Sequence, residues 1–298
     1  MSTKAGAYAA LFFASALMAS GYILVRAVDQ KAGMGMFVMQ SMFFCALAIT
    51  FFRPGKPAKK VTRQDMAAIA FNGIATPVAL FLVWEGARIV TPSLASIIVN
   101  SNVLMIALLA WALGRKKFKT AQLLALAVGF AGIVWISFER GSLGGEAQGV
   151  ACLLAGAVVI AAITVIIERP VVEIGAVAVT RWSYWISFVV SLAVVLISGQ
   201  LKFYSLWQSG LALITGGIMG ALALLFYLGM SRLGSADAAA FKLLVPFFAL
   251  IYGFAILGLI PNLSSSIAGL LVIVSVAVYQ FSGKEDSNGL EPVRTLRL

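Results

Sequence analysis

The sequence predicts an all-α membrane protein of ten transmembrane helices, built as two inverted five-helix repeats with both termini on the cytoplasmic side. Three observations carry that prediction. The 298 residues are 61% hydrophobic and only 11% charged, with a mean hydropathy of +1.01, far above what a soluble globular domain carries. Apolar runs long enough to cross about 30 Å of hydrocarbon occur ten times. The second half of the chain also repeats the order of spans of the first.

The spans fall at 7–25, 33–52, 66–86, 93–113, 120–138, 149–167, 177–198, 209–230, 237–258 and 264–282. Continuous apolar stretches read as helices, because strands of a barrel would alternate and because lipid offers backbone groups no partner outside a helix. Lys4 followed by an apolar run has the form of a secretion signal, but nine comparable runs follow, so it is read as the first span. The third span carries Asn72 and Thr76 one turn apart beside Pro77, and the fourth carries the triplet Asn100, Ser101 and Asn102. The seventh opens with Arg181, Trp182, Tyr184 and Trp185, the composition of an interfacial belt. Small residues such as Gly216, Gly217, Gly220 and Gly253 in the later spans allow close helix approach.

Orientation follows from the basic residues. With a cytoplasmic N-terminus, the inside segments hold Lys4, the group from Arg53 to Arg63, the group from Arg115 to Lys119, Arg169, Arg232, Lys284, Arg294 and Arg297. The outside loops hold only Arg26, Lys31, Arg88, Arg140 and Lys202, so both termini are expected inside. The net charge of +11 therefore reflects membrane topology, and nucleic acid is not an expected partner.

An offset of 144 residues superimposes the third span on the eighth, the fourth on the ninth and the fifth on the tenth, pairing Gly73 with Gly217 and Arg88 with Arg232. Five spans per copy is an odd number, so the second copy enters the membrane inverted. The expected units are 1–143, 144–282 and a polar, disordered tail over 283–298.

The stretch "LLFYLGMSRLGSADAAAFKLLVPFFALIYGFAILG" (224–258) and the last span "IAGLLVIVSVAVY" resemble the drug/metabolite transporter superfamily, EamA type, over residues 7 to 282. The resemblance implies a multi-pass inner-membrane transporter that exports amino acids, related metabolites or drugs, and it is strongest to bacterial aromatic-amino-acid exporters. At the first span, where that family often has Trp-Gly, this chain reads "MASGYILVRAV" with Tyr22.

The residue inventory narrows the chemistry. Histidine is absent, the two cysteines, Cys45 and Cys152, lie inside apolar runs, and no phosphate-binding G-x-x-x-x-G-K-[ST] loop occurs. No metal, cofactor or catalytic nucleophile with a base is therefore expected, and an enzyme or lipid scramblase is disfavoured. Each of the eleven acids lies in a connector, in the tail or near the end of a span. Organic-cation efflux driven by protons needs a buried acid. The nearest candidate, Glu85, stands three residues before Arg88, at ion-pair spacing. Facilitated movement of an amino acid or related metabolite is the expected activity, with proton-coupled drug efflux as the alternative.

Lys242 is the one charge in the apolar run from Ala238 to Ile260. It stands six residues into the ninth span, about 9 Å deep, so it either snorkels to the interface or faces a cavity and receives an anionic group. Pro246 one turn later cannot donate to the carbonyl of Lys242, and Ile98 is its counterpart at the 144-residue offset. Asn72, Asn100 and Asn102 are expected to bind substrate or to bridge helices. Tyr22, Phe81, Trp84, Tyr227, Phe241 and Tyr252 are candidates for an apolar lining with polar tips.

Overall fold

The computed structural model describes residues 4–28, 33–54, 60–112, 119–125, 127–129, 131, 146–199, 201, 204–233, 238–239, 241–258 and eight positions between 263 and 282. The tail over 283–298 lies outside them, as do residues 132–138 of the fifth span and most of the tenth. Every regular element among the described residues is helical. The helices are α1 (Lys4–Leu24), α2 (Met34–Thr50), α3 (Arg63–Ile89), α4 (Pro92–Asn100), α5 (Asn102–Ala112), α6 (Glu146–Ile174), α7 (Ala176–Ile197), α8 (Leu206–Leu233) and α9 (Leu244–Leu257). Among the described residues, five segments are long and apolar enough to cross a membrane: Ala5–Ala27, Arg63–Ile89, Glu146–Ile174, Ala176–Ile197 and Leu206–Leu233.

Two expected spans are not single helices. The fourth breaks at Ser101, because its polar triplet offers the backbone alternatives to the helical ladder. Asn100 Nδ2 donates to the Ser96 carbonyl at 2.6 Å, and Ser101 Oγ donates to the Ile98 carbonyl at 2.6 Å. The Leu104 amide then bonds back only three residues, to the Ser101 carbonyl. The ninth begins as a 3₁₀ turn, Phe241–Leu243, before α9. Pro246 sits in the first turn of α9, where a missing N–H is tolerated, and an α-helix continued back through Lys242 would require that N–H.

Helix pairing has a two-fold pattern. Counting α4 and α5 as one span, α3 packs on α6 and α7, as α8 packs on α1 and α2; α1 packs on α9 as the fourth span packs on α6. The pairs α2–α7 and α4–α9 map onto themselves when each span is exchanged for the one five later. The stretches therefore interdigitate, and α2, α3, α7 and α8 surround the centre of the bundle.

Proline and glycine explain the closest of these contacts. Pro77 leaves the Gly73 carbonyl without its helical donor, and Ser187 Oγ on α7 supplies one at 2.8 Å. A Cβ at Gly73 would meet Ile186 Cβ at 2.6 Å and the Ser183 carbonyl oxygen at 2.9 Å. The orphan carbonyl and the missing side chain thus serve one helix crossing.

The end of the bundle where α3 and α7 begin and α2 and α6 finish is here called the lower end. Arg169 of α6 reaches Gln64 Oε1 at 2.9 Å and Asp65 Oδ1 at 3.8 Å. Arg181 of α7 donates to the Thr50 carbonyl at 3.2 Å and to the Phe52 carbonyl, and Trp185 Nε1 donates to Thr50 Oγ1 at 3.1 Å. Thr62 and Asp65 close a capping box at the start of α3. Replacing Thr62 by Ala is expected to destabilise the protein by about 1 kcal/mol, read as a lower denaturant midpoint in detergent, with the helix content otherwise unchanged.

Candidate functional site

Three helices, α3, α7 and α8, bring polar side chains together in the lower half of the bundle. Asn72 on α3 is at the hub: Nδ2 donates to Ser183 Oγ on α7 at 2.9 Å and to Tyr227 Oη on α8 at 3.3 Å. Its Oδ1 accepts from Thr76 Oγ1 at 2.9 Å. The amide is thereby held on three sides, as a buried amide must be. Because Tyr227 accepts from Asn72, its own O–H remains available as a donor, and no acceptor for it is found among the described residues.

Lys242 meets α8 at Phe226, the residue next to Tyr227. It is 3% exposed, and its Nζ stands 4.8 Å from the centroid of that ring. No carboxylate faces it among the described residues. A snorkelling lysine would leave its charge exposed, so the burial weighs against that reading. A cation over a ring face gains about 2 kcal/mol when desolvated, whereas removing an ammonium from water costs several kcal/mol. The ring alone does not offset that cost.

The turn that carries Lys242 is fixed from α1. Ser15 Oγ donates to the Phe241 carbonyl at 2.7 Å, and the Phe241 ring stacks on Tyr8 at 5.8 Å. Tyr184 on α7, the neighbour of Ser183, is buried in the same apolar core as Cys45 on α2. Two donors of different kinds, an ammonium and a phenol, therefore stand on adjacent elements with no acceptor among the described residues. Each is a donor suited in kind to a carboxylate or another small anion.

The remaining expected residues are distributed differently. Tyr22 and Trp84 are buried in the central apolar core, Trp84 packing on Phe37 at 5.3 Å, and Tyr252 stacks on Phe248 at 6.2 Å. Asn100 and Asn102 flank the break in the fourth span, 4% and 2% exposed, and the Oδ1 of each has no hydrogen-bond partner among the described residues. Phe81 is not brought to the cluster. It is 42% exposed, on an outward apolar stripe with Phe71, Ile74 and Val78. Pro246 contributes through the backbone of the α9 first turn.

Ser183, Tyr184 and Phe226 are site neighbours that sequence reasoning passed over. A signal for the first was present: Ser183, Ser187 and Ser191 recur at four-residue spacing, a polar stripe down one face of an apolar helix.

Comparison with known proteins gives three results. A family model described as "EamA-like transporter family" matches residues 5–138 and again 147–280. A search of curated proteins finds no match. A solved structure titled "Crystal structure of protein" aligns with a TM-score of 0.67 at 15% identity, covering 95% of this chain and 99% of that one, a likeness of fold alone. The two family matches start 147 − 5 = 142 residues apart and also end 280 − 138 = 142 apart. That separation lies close to the 144 read from identities.

Proposed function

The chain belongs to the EamA-like transporter family, and on that premise we propose that it exports amino acids or closely related small metabolites across a bacterial inner membrane. The ten spans with both termini cytoplasmic form two inverted repeats, and the substrate path runs between them. The two repeats rock about that path, exposing it to each side in turn. The lower half of the bundle, with Lys242, is then the cytoplasmic half, where an exporter loads.

The observation that carries this reading is the buried Lys242 ammonium, set over Phe226 without a carboxylate among the described residues. It supplies the charge that a substrate carboxylate needs, and the Tyr227 hydroxyl held by Asn72 supplies a second donor. Phe226 and Phe241, beside the ammonium, offer apolar surface for the substrate side chain, and Tyr22, Trp84 and Tyr252, farther up their helices, line the path beyond it. Glu85, the acid nearest a span interior, is engaged by Arg88 at 3.4 Å. That pairing favours facilitated movement over obligatory proton exchange and over efflux of organic cations.

Counterflow in proteoliposomes tests the reading, with a panel of labelled amino acids, organic anions and organic cations, the proton gradient intact or collapsed. Carboxylate-bearing solutes are expected to exchange at equal rates under both conditions. Strict dependence on the gradient, or a preference for organic cations, would overturn it.

A further inference from the structure

An inverted repeat builds each feature twice, once in each half of the membrane. Gly73 brings α3 against α7 at Ser183; Gly216 brings α8 against α2, where a Cβ would meet the Ser41 carbonyl oxygen at 2.6 Å and Phe44 Cβ at 2.8 Å. Ser41 and Ser183 stand 142 residues apart in the chain, and Gly73 and Gly216 stand 143 apart. Depths agree as well. Ser183 is seven residues into α7 and Asn72 nine into α3; Ser41 is seven into α2 and Thr215 nine into α8.

The two crossings differ in how their polar groups are satisfied. At the lower one Asn72 is held by Ser183, Tyr227 and Thr76. At the upper one Ser41 Oγ, Thr215 Oγ1 and Gln40 Oε1 are buried with no hydrogen-bond partner among the described residues, Ser41 being 0% and Thr215 2% exposed. Helical hydroxyls in apolar surroundings ordinarily donate back to the carbonyl four residues earlier, as Thr50, Thr164 and Thr180 do here. Ser41 and Thr215 do not. Asn100, the last residue of α4, adds a further unpartnered oxygen, Oδ1.

Buried polar groups left unmatched need an explanation, and a transient ligand is one. The set at the upper crossing consists of oxygens: an amide carbonyl and two hydroxyls, with Asn100 Oδ1 a second amide carbonyl; the one unpartnered cationic group in this half among the described residues, Arg26 Nε, belongs to a side chain that donates to the Val90 carbonyl at the rim. The lower set contributes the Lys242 ammonium and the Tyr227 O–H. We propose that Gln40, Ser41 and Thr215 form a second substrate station, in the outer half of the path, that accepts the ammonium group of the transported amino acid. Three oxygen acceptors match the three N–H donors of a primary ammonium. Thr215 and Tyr227 are twelve residues apart on α8, about 18 Å along the helix, so the stations act in succession on a small molecule. The carboxylate is held first, at Lys242, and the ammonium later. This rests on the amino-acid reading above, and the test separates the two.

The first measurement compares two probes that differ by the ammonium group, L-phenylalanine and 3-phenylpropanoate, in proteoliposome counterflow. Ser41→Ala combined with Thr215→Val removes both hydroxyls at nearly constant volume. The ratio of phenylalanine to phenylpropanoate exchange is expected to fall about tenfold, roughly the loss of two hydrogen bonds to a charged group at partial occupancy. Lys242→Met is expected to depress both probes together. An unchanged ratio in the double variant overturns the station.

The second measurement is independent of the molecule carried. Ser41→Cys is placed in a Cys45→Ala/Cys152→Ala background and exposed to aminoethyl methanethiosulfonate, whose reactive arm bears an ammonium. Modification, slowed by an excess of ethylammonium, supports a station open to that group even if neither phenyl probe is exchanged. A folded Ser41→Cys protein whose introduced thiol stays unmodified shows a sealed helix crossing and overturns the proposal.

Discussion

Replacing Lys242 by methionine is expected to lower exchange of carboxylate-bearing substrates by roughly 30- to 700-fold while leaving the protein folded. The magnitude is that of truncating one partner of a buried charge-assisted pair, about 2–4 kcal/mol, converted at about 1.4 kcal/mol per tenfold. Methionine fills nearly the same volume along the same path, so the turn Phe241–Leu243 and its bond from Ser15 are kept. Stability should move the other way. In the substrate-free protein the ammonium is 3% exposed, with an aromatic ring 4.8 Å away and no counter-ion among the described residues. Removing an uncompensated buried charge relieves its desolvation, so the melting temperature in detergent should rise. The pair of effects is diagnostic. A structural anchor would lose stability and keep transport; a binding group gives up transport and gains stability. Unchanged carboxylate exchange in a well-folded Lys242→Met protein would remove Lys242 from the site.

The sequence made Lys242 visible because a charge in an apolar run needs no geometry to stand out. Asn72 and Tyr227 were visible for the weaker reason that polar and aromatic residues in spans are few. What could not be read was that one amide joins them, since Asn72, Ser183 and Tyr227 are separated by more than a hundred and by more than forty residues along the chain, and only the crossing at Gly73 brings the first two together. Phe81 shows the opposite failure. It lies three residues from Trp84 on α3, close enough in helical phase to be grouped with it, yet Trp84 packs on Phe37 and Phe81 faces outward. A helix with apolar residues on every side has no periodicity to say which face is which.

Helix boundaries followed hydropathy closely, as α1, α2, α3, α7 and α8 show, because apolar composition ends where the spans end. Breaks inside spans did not. Nothing in mean hydropathy distinguishes Asn100, Ser101 and Asn102 in a continuous helix from the same residues at a discontinuity; the choice depends on side chains bonding to the backbone at Ser96 and Ile98. The repeat was legible as an order of spans and not as a register. Identities favoured 144 because Gly217 matches Gly73, whereas the packing makes Gly216, 143 residues on, the counterpart of Gly73 at a helix crossing.

That register has a sharp consequence at two adjacent glycines. At Gly216 a Cβ would lie 2.6 Å from the Ser41 carbonyl oxygen, 2.8 Å from Phe44 Cβ and 2.9 Å from the Cys45 backbone nitrogen; at Gly217 it would meet nothing within 4 Å. Two of the three obstructing atoms are backbone, so no rotamer change makes room and α2 and α8 must separate. In lipid there is no hydrophobic gain to hold them together otherwise, since helix association there depends on close packing. Gly216→Ala is therefore expected to destabilise the protein by about 1–3 kcal/mol, and Gly216→Leu to abolish the monodisperse peak in fluorescence-detected size exclusion. Gly217→Ala and Gly217→Leu should both elute as the unaltered protein does. The substitutions are chemically identical and one residue apart, so propensity and hydrophobicity cancel in the comparison. If Gly217→Leu were the damaging one, or if Gly216→Leu were tolerated, the α2–α8 crossing would not be built on Gly216, and the correspondence between the two halves of the path would lose its anchor.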